Sequence, residues 1–406
     1  MATMVTDLDL PEVDIQRISG TPADRERVAE LAAQNWLVRN PFGYTITSHQ
    51  DCVAVLKDPR WYQASRLLAE MNNITNERFL ARQRRPSILS SEGAEHQRLR
   101  RLVSPAFTPR SADRLRPFMT QVINDLVDPL TATGRTEFVT DVCEPYPIPI
   151  ICELLGAPKK DWKQFSQWAT AIFQIFSDQL ANKVDEVCDA GEAIETYVTN
   201  LIEARRGEPR DDLLSDLIAA EEQGERLSNA ELTMLVEAVI LAGTDTTRNQ
   251  LACAMAVFAD HPDQWAQLGE NPDLARKATE ESFRYLGAVR GTGRFASQDI
   301  EYRDIIFPSG TLVFPSFIGA NNDSTVFDNP MGFNIEAEQG GAGHLTLGFG
   351  SHYCLGANLA RAELQEALTV LSQRMPNLRL DGEIIWKPAG VGIWGPARLP
   401  LAFDPS

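Results

Sequence analysis

The stretch HLTLGFGSHYCLGANLARAELQEAL, His344 to Leu368, sets glycine-spaced turns directly before an apolar-periodic helix, with Cys354 at the junction. Unpaired N–H groups and the positive end of a helix dipole favour an anionic sulfur at such a place. Gly348, Gly350 and Gly356 permit tight turns and the close approach of a flat cofactor, whose iron could sit on that sulfur. A plain buried cysteine near a helix start is the competing reading of this stretch alone. The other five cysteines (Cys52, Cys143, Cys152, Cys188 and Cys253) form no C-x-x-C pair and read as small buried apolar residues. Their scatter in a chain without an export signal fits a reducing cytoplasm.

Upstream, Ser228 with Glu231 three residues later predicts a capped helix start, and the periodicity runs on for about eight turns to His261-Pro262, spanning ~45 Å. A helix of that length crosses a whole molecule. Its middle reads Leu241-Ala242-Gly243-Thr244-Asp245-Thr246-Thr247, where a glycine and a carboxylate interrupt apolar surroundings. Glycine costs about 1 kcal/mol against alanine in a helix, and function is the expected compensation. Gly243 is expected to let a plate-like ligand lie against the helix. The Thr246 hydroxyl can bond back to the Ala242 carbonyl and bend the helix, which opens an oxygen-sized niche. A solvated polar face is the plainer alternative.

Two weaker patterns flank these. Asn271-Pro272 supplies an N-cap and a first-turn proline, so Glu281 and Arg284 fall three apart on one helical face that ends at Gly287. Taken alone, such a pair reads as a surface salt bridge. Between Arg78 and Arg116 there are ten arginines (78, 82, 84, 85, 98, 100, 101, 110, 114, 116) against three acids (Glu92, Glu95, Asp113). His96 and Arg100, four apart, can point an imidazole and a guanidinium at one anion, and the remaining arginines could attract an acidic electron donor or form a merely solvated face.

The whole chain is acidic: 56 acidic minus 38 basic side chains leaves −18, which repels phosphate backbones and argues against a nucleic-acid partner. The sequence contains no signal-peptide pattern and no run of eighteen apolar residues, so a membrane anchor is not expected. With 406 residues and 43% hydrophobic content the chain can bury a large core. Short turn-rich stretches at Arg205 to Asp212, Glu221 to Ser228 and Glu338 to Gly343 lack linker composition, so residues 1–406 read as one domain without repeats. A β-containing region is expected over about 1–60, and a helical core with the cysteine loop over about 90–375. Helical periodicity covers Ala112 to Leu130, Lys159 to Leu180, Asp185 to Arg205, Asn229 to Ala259, Pro272 to Leu286 and Leu355 to Arg374. Strand patterns are fewer: Phe42 to Thr47, and Ile300 to Ile306 with Thr311 to Phe314 bracketing a hairpin at Pro308-Ser309-Gly310. The class is mainly α with minor β.

Together these features resemble the cytochrome P-450 (CYP) family, specifically its soluble bacterial class, from Ser91 onward. GAEHQRLRRLVSPAFTPR looks like the propionate-binding helix, AGTDTT the oxygen-activation motif, EESFRY the Glu-x-x-Arg helix and GFGSHYCLG the cysteine loop, in family order. The resemblance implies the triangular-prism, helix-rich fold with small β-sheets, and haem b (iron protoporphyrin IX) between the long central helix and the cysteine-loop helix. It implies Cys354 as the iron ligand, with His96, Arg100, Arg294 (in GTGRFA) and His352 as propionate partners. Thr246 is expected to hydrogen-bond dioxygen, Asp245 to relay protons through water, and Glu281 with Arg284 to form a buried structural pair. The implied activity is that of a monooxygenase, taking O2 and two single electrons to hydroxylate or otherwise oxidise an organic molecule. No flavin or nicotinamide fingerprint is present, so a separate ferredoxin and ferredoxin reductase are expected, with the protein a cytoplasmic monomer.

Three positions depart from the family pattern. Leu347 stands where the cysteine loop usually starts with phenylalanine, for which Phe349 could compensate. Gly332 replaces the arginine that normally precedes the phenylalanine matching Phe333, which leaves the third partner of Glu281 and Arg284 unassigned. Ala288 replaces a proline after the Glu-x-x-Arg helix, which could alter the loop Gly287 to Thr292. Segments expected at the substrate are Trp61 to Ile88, Phe165 to Phe176, Val239, Val289 and GVGIWGP around Trp394, mostly apolar, so terpenoid, steroid and fatty acyl molecules all fit, as does a core-packing role for the aromatics. Two other classes compete. A non-catalytic haem sensor could use the same cysteine but would not need Asp245-Thr246, and a cysteine hydrolase would need Cys354 and His352 to meet.

Overall fold

A computed structural model describes every residue except 1, 15–17, 19–21, 178, 223–226, 338–342, 389–392 and 406. Most of the expected turn from Glu338 to Gly343 and the first three residues of GVGIWGP therefore lie outside the described residues. Helices dominate and the strands are two to four residues long.

The organising element is the central helix, Asn229–Asp260, whose 32 residues rise about 48 Å. Its start is the expected capping box: Ser228 N–H donates to Glu231 Oε2 (2.8 Å) and Glu231 N–H to Ser228 Oγ (3.3 Å). From Thr247 to Phe258 every residue is buried, so this half is enclosed on all sides rather than amphipathic. The main hydrophobic core wraps it, drawing on Pro109–Thr131, Pro147–Leu155, Leu180–Arg206 and the cysteine helix Ala357–Arg374.

Where the expectation and the structure part, the cause is local. The predicted helix Lys159 to Leu180 breaks: α-helix covers Trp162–Ile172, a tighter turn follows over Phe173–Phe176, and a new helix runs Leu180–Arg206. In the tight turn residues three apart eclipse, which sets the rings of Phe173 and Phe176 5.9 Å apart. The hairpin lies elsewhere too. Ile300–Tyr302 pairs with Ile305–Phe307, and its tip is Arg303-Asp304, with φ of 50° and 57°. Two consecutive left-handed residues match the twist of a tight hairpin, whereas Pro308-Ser309-Gly310 only leads into the next strand.

That next strand, Leu312–Pro315, enters a different sheet, ordered Leu37–Asn40, Gly43–Ile46, Leu312–Pro315, Arg294–Ala296, Trp61–Gln63. Its last pairing sets Gln63 opposite Arg294. A β-sheet register built in the N-terminal part of the chain thus delivers one cation to the site described next.

Candidate active site

The cysteine loop is held from both ends. Gly350 takes φ of 72° in a single 3-10 turn, Gly350–His352, and a Cβ there would lie 2.1 Å from the Leu56 carbonyl oxygen. Close approach at Gly350 is therefore to backbone, not to a cofactor. Cys354 N–H donates to Leu347 O (2.8 Å), and the cysteine helix begins three residues after the sulfur. Burial raises the thiol pKa, while the Gly356 N–H, Arg100 and Arg361 pull it down less strongly. The helix start thus supplies an N–H to the sulfur without by itself making a thiolate. A coordinated metal deprotonates such a thiol outright.

Leu347 packs with Phe283, Ala357 and Leu364 against Cys354. The aromatic rings in this cluster come from Phe283, one residue before Arg284, and from Tyr353, one residue before Cys354. Phe349 does not compensate for Leu347: it packs with the N-terminal sheet cluster and lies under Lys57 Nζ at 5.1 Å.

Beside the loop the four expected propionate partners come together. Arg100 Nη2 donates to Tyr353 O (2.7 Å), and the rings of His96 and His352 lie 4.1 Å apart. His352 Nε2 meets Glu92 Oε2 (3.1 Å), whose other oxygen accepts from Gln63 N–H (2.7 Å). Arg294 Nη1 donates to Gln63 Oε1 (2.6 Å), Thr292 Oγ1 (2.9 Å) and its neighbour's carbonyl, Gly293 O (2.9 Å). Burial, then His352 and Arg100, push His96 down to about 4, and burial pushes Arg294 down to about 10. Burial would raise the Glu92 carboxyl, yet the bonds from His352 and Gln63 hold it below its ordinary value. His352 thus bonds the Glu92 carboxylate, His96 and Arg294 feel its charge, and Arg100 is turned to the Tyr353 carbonyl instead. Glu92 was legible only as an acid at a helix start, but its side chain makes no capping bond and turns to Gln63 and His352 instead.

On the central helix, Thr246 Oγ1 donates to Ala242 O (2.7 Å). Ala242 is exposed in mid-helix, and Met234, Ala238 and Thr246, at steps of four, are partly exposed. This stripe borders open space. Gly243 does not face it: a Cβ there would lie 2.2 Å from Ile151 Cδ1, so the missing side chain admits the neighbouring helix Pro147–Leu155, and Ala242 takes the role expected of Gly243. Gly243→Ala is expected to overpack this contact and destabilise the protein by about 1–3 kcal/mol. Adding Ile151→Val should recover part of the loss in urea unfolding; no change in midpoint for Gly243→Ala would contradict the contact.

Asp245 is buried and ion-paired with Arg248, which also donates to Ser166 Oγ (3.3 Å) and Thr170 Oγ1 (3.0 Å). No hydrogen bond joins Asp245 to Thr246 among the described residues. The next residue, Thr247, bonds the Glu363 carboxyl of the cysteine helix, which burial lifts to about 8. That contact ties the buried side of the central helix to the helix that follows Cys354.

The donor set fits an iron porphyrin: a lone sulfur with a backbone N–H, a cation-rich cluster for two carboxylates, and a helix stripe with small side chains. A Cβ on Gly356 would meet nothing within 4 Å, so space is also left beside the sulfur.

Glu281 and Arg284 are both buried and joined by two bonds, Nε to Oε2 (2.8 Å) and Nη2 to Oε1 (2.7 Å). The missing arginine at position 332 is replaced by backbone. Arg284 donates to the carbonyls of Asn321 (3.2 Å), Pro330 (2.7 Å) and Gly332 (2.6 Å), and Asn334 N–H donates to Glu281 Oε1 (2.9 Å). At the third departure, Ala288 keeps an N–H that proline lacks and donates it to Gln250 Oε1 of the central helix (2.9 Å).

Half of the ten arginines in the basic segment are neutralised internally. Arg78, Arg82, Arg85, Arg98 and Arg116 are ion-paired to acids elsewhere in the chain. Arg84, Arg101, Arg110 and Arg114 are exposed and form no ion pair among the described residues. Of the segments expected at the substrate, Phe165 is fully buried with Trp168 and Tyr197 in the core, Trp61 packs in the N-terminal cluster, and Trp394 stacks on Trp386 at 4.6 Å. Val289 pairs with Ile393.

Residues 45–375 match the family model described as Cytochrome P450. The chain is 35% identical to a luteothin monooxygenase of Streptomyces thioluteus, over 94% of this chain and 93% of that one. It is also 35% identical to a mycinamicin IV hydroxylase/epoxidase of Micromonospora griseorubida, over 90% and 91%. A crystal structure of the myxobacterial cytochrome P450 CYP267B1 in complex with myristic acid superposes with a TM-score of 0.86 at 31% identity, covering 96% of this chain and 98% of that one.

Proposed function

The chain belongs to the cytochrome P450 family, and on that premise we propose that Cys354 ligates the iron of its haem while His96, Arg100, Arg294 and His352 receive the propionates. The protein is a monooxygenase and its cofactor is haem b. When bound, haem supplies the activation of O2 by single electrons, with the thiolate donating charge to the iron. The observation that supports these assignments best is the gathering of two imidazoles and two guanidiniums beside the cysteine loop, with Glu92 the one carboxylate among the described residues that bonds into the group.

Thr246 holds the proton nearest the reacting oxygen. Its hydroxyl rests on Ala242 O and, by rotating, donates to dioxygen lodged against the open stripe. Asp245, held by its ion pair with Arg248, relays protons to Thr246 through water rather than directly, because adjacent residues on a helix diverge by about 100°. Water reaching Thr246 from that side can be protonated while bulk solvent stays excluded.

The substrate is a medium or large, mostly apolar secondary metabolite of terpenoid, steroid or fatty acyl type. The myristic acid in the CYP267B1 structure is a fatty acyl molecule of the kind this range includes. Electrons come from a ferredoxin and its reductase, which dock through Arg101, Arg110 and Arg114; Asn358 Nδ2 on Phe107 O (2.9 Å) ties this segment to the cysteine helix. The protein acts as a cytoplasmic monomer of one domain.

Thr246→Ala, reconstituted with a surrogate ferredoxin and reductase, is expected to keep haem and substrate binding while most electrons leave as hydrogen peroxide. Coupled product formation equal to wild type in that variant would remove Thr246 from the mechanism. Titration of the ferric protein with a panel of apolar compounds, scored by water displacement from the iron, tests the substrate class; a panel that shifts the spectrum only with polar or charged compounds would overturn it.

A further inference from the structure

A small cavity lies between the N-terminal helix Pro22–Gln34, the end of the helix Ala275–Tyr285 and the segment around Phe317–Asn321. Its wall includes three arginines, Arg25, Arg284 and Arg290, with Tyr285, Asn322 and Trp394. The cavity is small, with room for one or two small species.

The three guanidiniums are not equally satisfied. Arg284 is saturated by Glu281 and three carbonyls. Arg25, 3% exposed, donates Nη2 to Asn322 Oδ1 (3.0 Å) and lies 3.6 Å over the Tyr285 ring, but its Nε is buried with no hydrogen-bond partner among the described residues. Arg290 donates Nη2 to Ile18 O and lies 5.0 Å from the Trp394 ring, and its Nη1 is likewise buried with no partner among the described residues. Burial lowers the pKa of Arg25 and takes Arg290 down to about 10. The acids within reach are Glu281, bound to Arg284, and half-buried Asp24, which acts on Arg290. Among the described residues these two acids face three guanidiniums, a surplus of one positive charge. Water could accept the two N–H bonds but would leave that charge unbalanced.

We propose that this cavity is a binding site for a small monovalent anion of the halide class, held by Arg25 Nε and Arg290 Nη1. Carboxylates and phosphate exceed the room available. An anion there pins the N-terminal helix to the segment that carries Gly287, Ala288 and Val289, and so to the central helix through the Ala288–Gln250 bond. The site does not depend on the haem assignments.

Thermal unfolding of the haem-loaded full chain in sodium gluconate, chloride and bromide at one ionic strength tests it. Halide should raise the wild-type Tm by about 2–4 °C in a saturable way. The rise should vanish in Arg25→Met and Arg290→Met. Because either variant could fold poorly, wild-type crystals soaked in bromide give an independent reading: an anomalous peak within hydrogen-bond reach of both guanidiniums is expected. A map with no peak there, or with water alone, overturns the proposal whatever the melting curves do.

Discussion

Cys354→Ser will give a protein whose reduced carbon monoxide complex lacks the strongly red-shifted Soret band of thiolate ligation, and whose monooxygenase activity falls to background. A serine oxygen in the same place still receives the Gly356 N–H, but it cannot supply the polarisable negative charge that the proposed Cys354 ligation gives to iron. The propionate cluster is untouched by the change, so haem should still bind, more weakly and with altered absorption. Circular dichroism in the far ultraviolet should match wild type, because Cys354 contributes its backbone, not its side chain, to the bond with Leu347. Should the red-shifted band survive, another residue carries the iron.

Arg284→Lys will be nearly as damaging, although it conserves charge and acts through stability. Arg284 makes five hydrogen bonds with one planar group, two to Glu281 and one each to the carbonyls of Asn321, Pro330 and Gly332. An ammonium has three donors in a different geometry, so it leaves carbonyls and part of a buried carboxylate unmatched. Breaking a buried pair costs about 3–5 kcal/mol, against a total stability of about 5–15 kcal/mol for most proteins. The urea midpoint and the fraction of protein that retains haem should both fall sharply. A midpoint within error of wild type would mean that the backbone carbonyls do not need the guanidinium, contrary to the burial of both partners.

These two residues mark how unevenly the site could be read in advance. Cys354 stands out because its turns, its helix start and its spacing from other motifs are all local. Glu281 and Arg284 could be placed on one helical face, but nothing near position 332 announced that three carbonyls would replace an arginine. Gly243 illustrates the opposite error. A glycine in a helix signals that something comes close, without saying what, and here the neighbour is Ile151. The ten arginines misled in the same manner, since five of their partners lie on helices far along the chain. Arg25 and Arg290 carried no motif at all, and only burial makes their unpaired nitrogens conspicuous.

By itself the amino-acid order determined the helix-rich class, the start and length of the central helix, the cysteine turn and the cofactor chemistry, because caps, turns and periodicity act over a few residues. Tertiary structure alone decided which side of the central helix is open, which cations stay free, and how Gln63, Glu92 and Arg294 meet beside His352. Those outcomes depend on sheet register and helix packing between segments hundreds of residues apart, where burial and charge pairing are settled by proximity that no local pattern encodes.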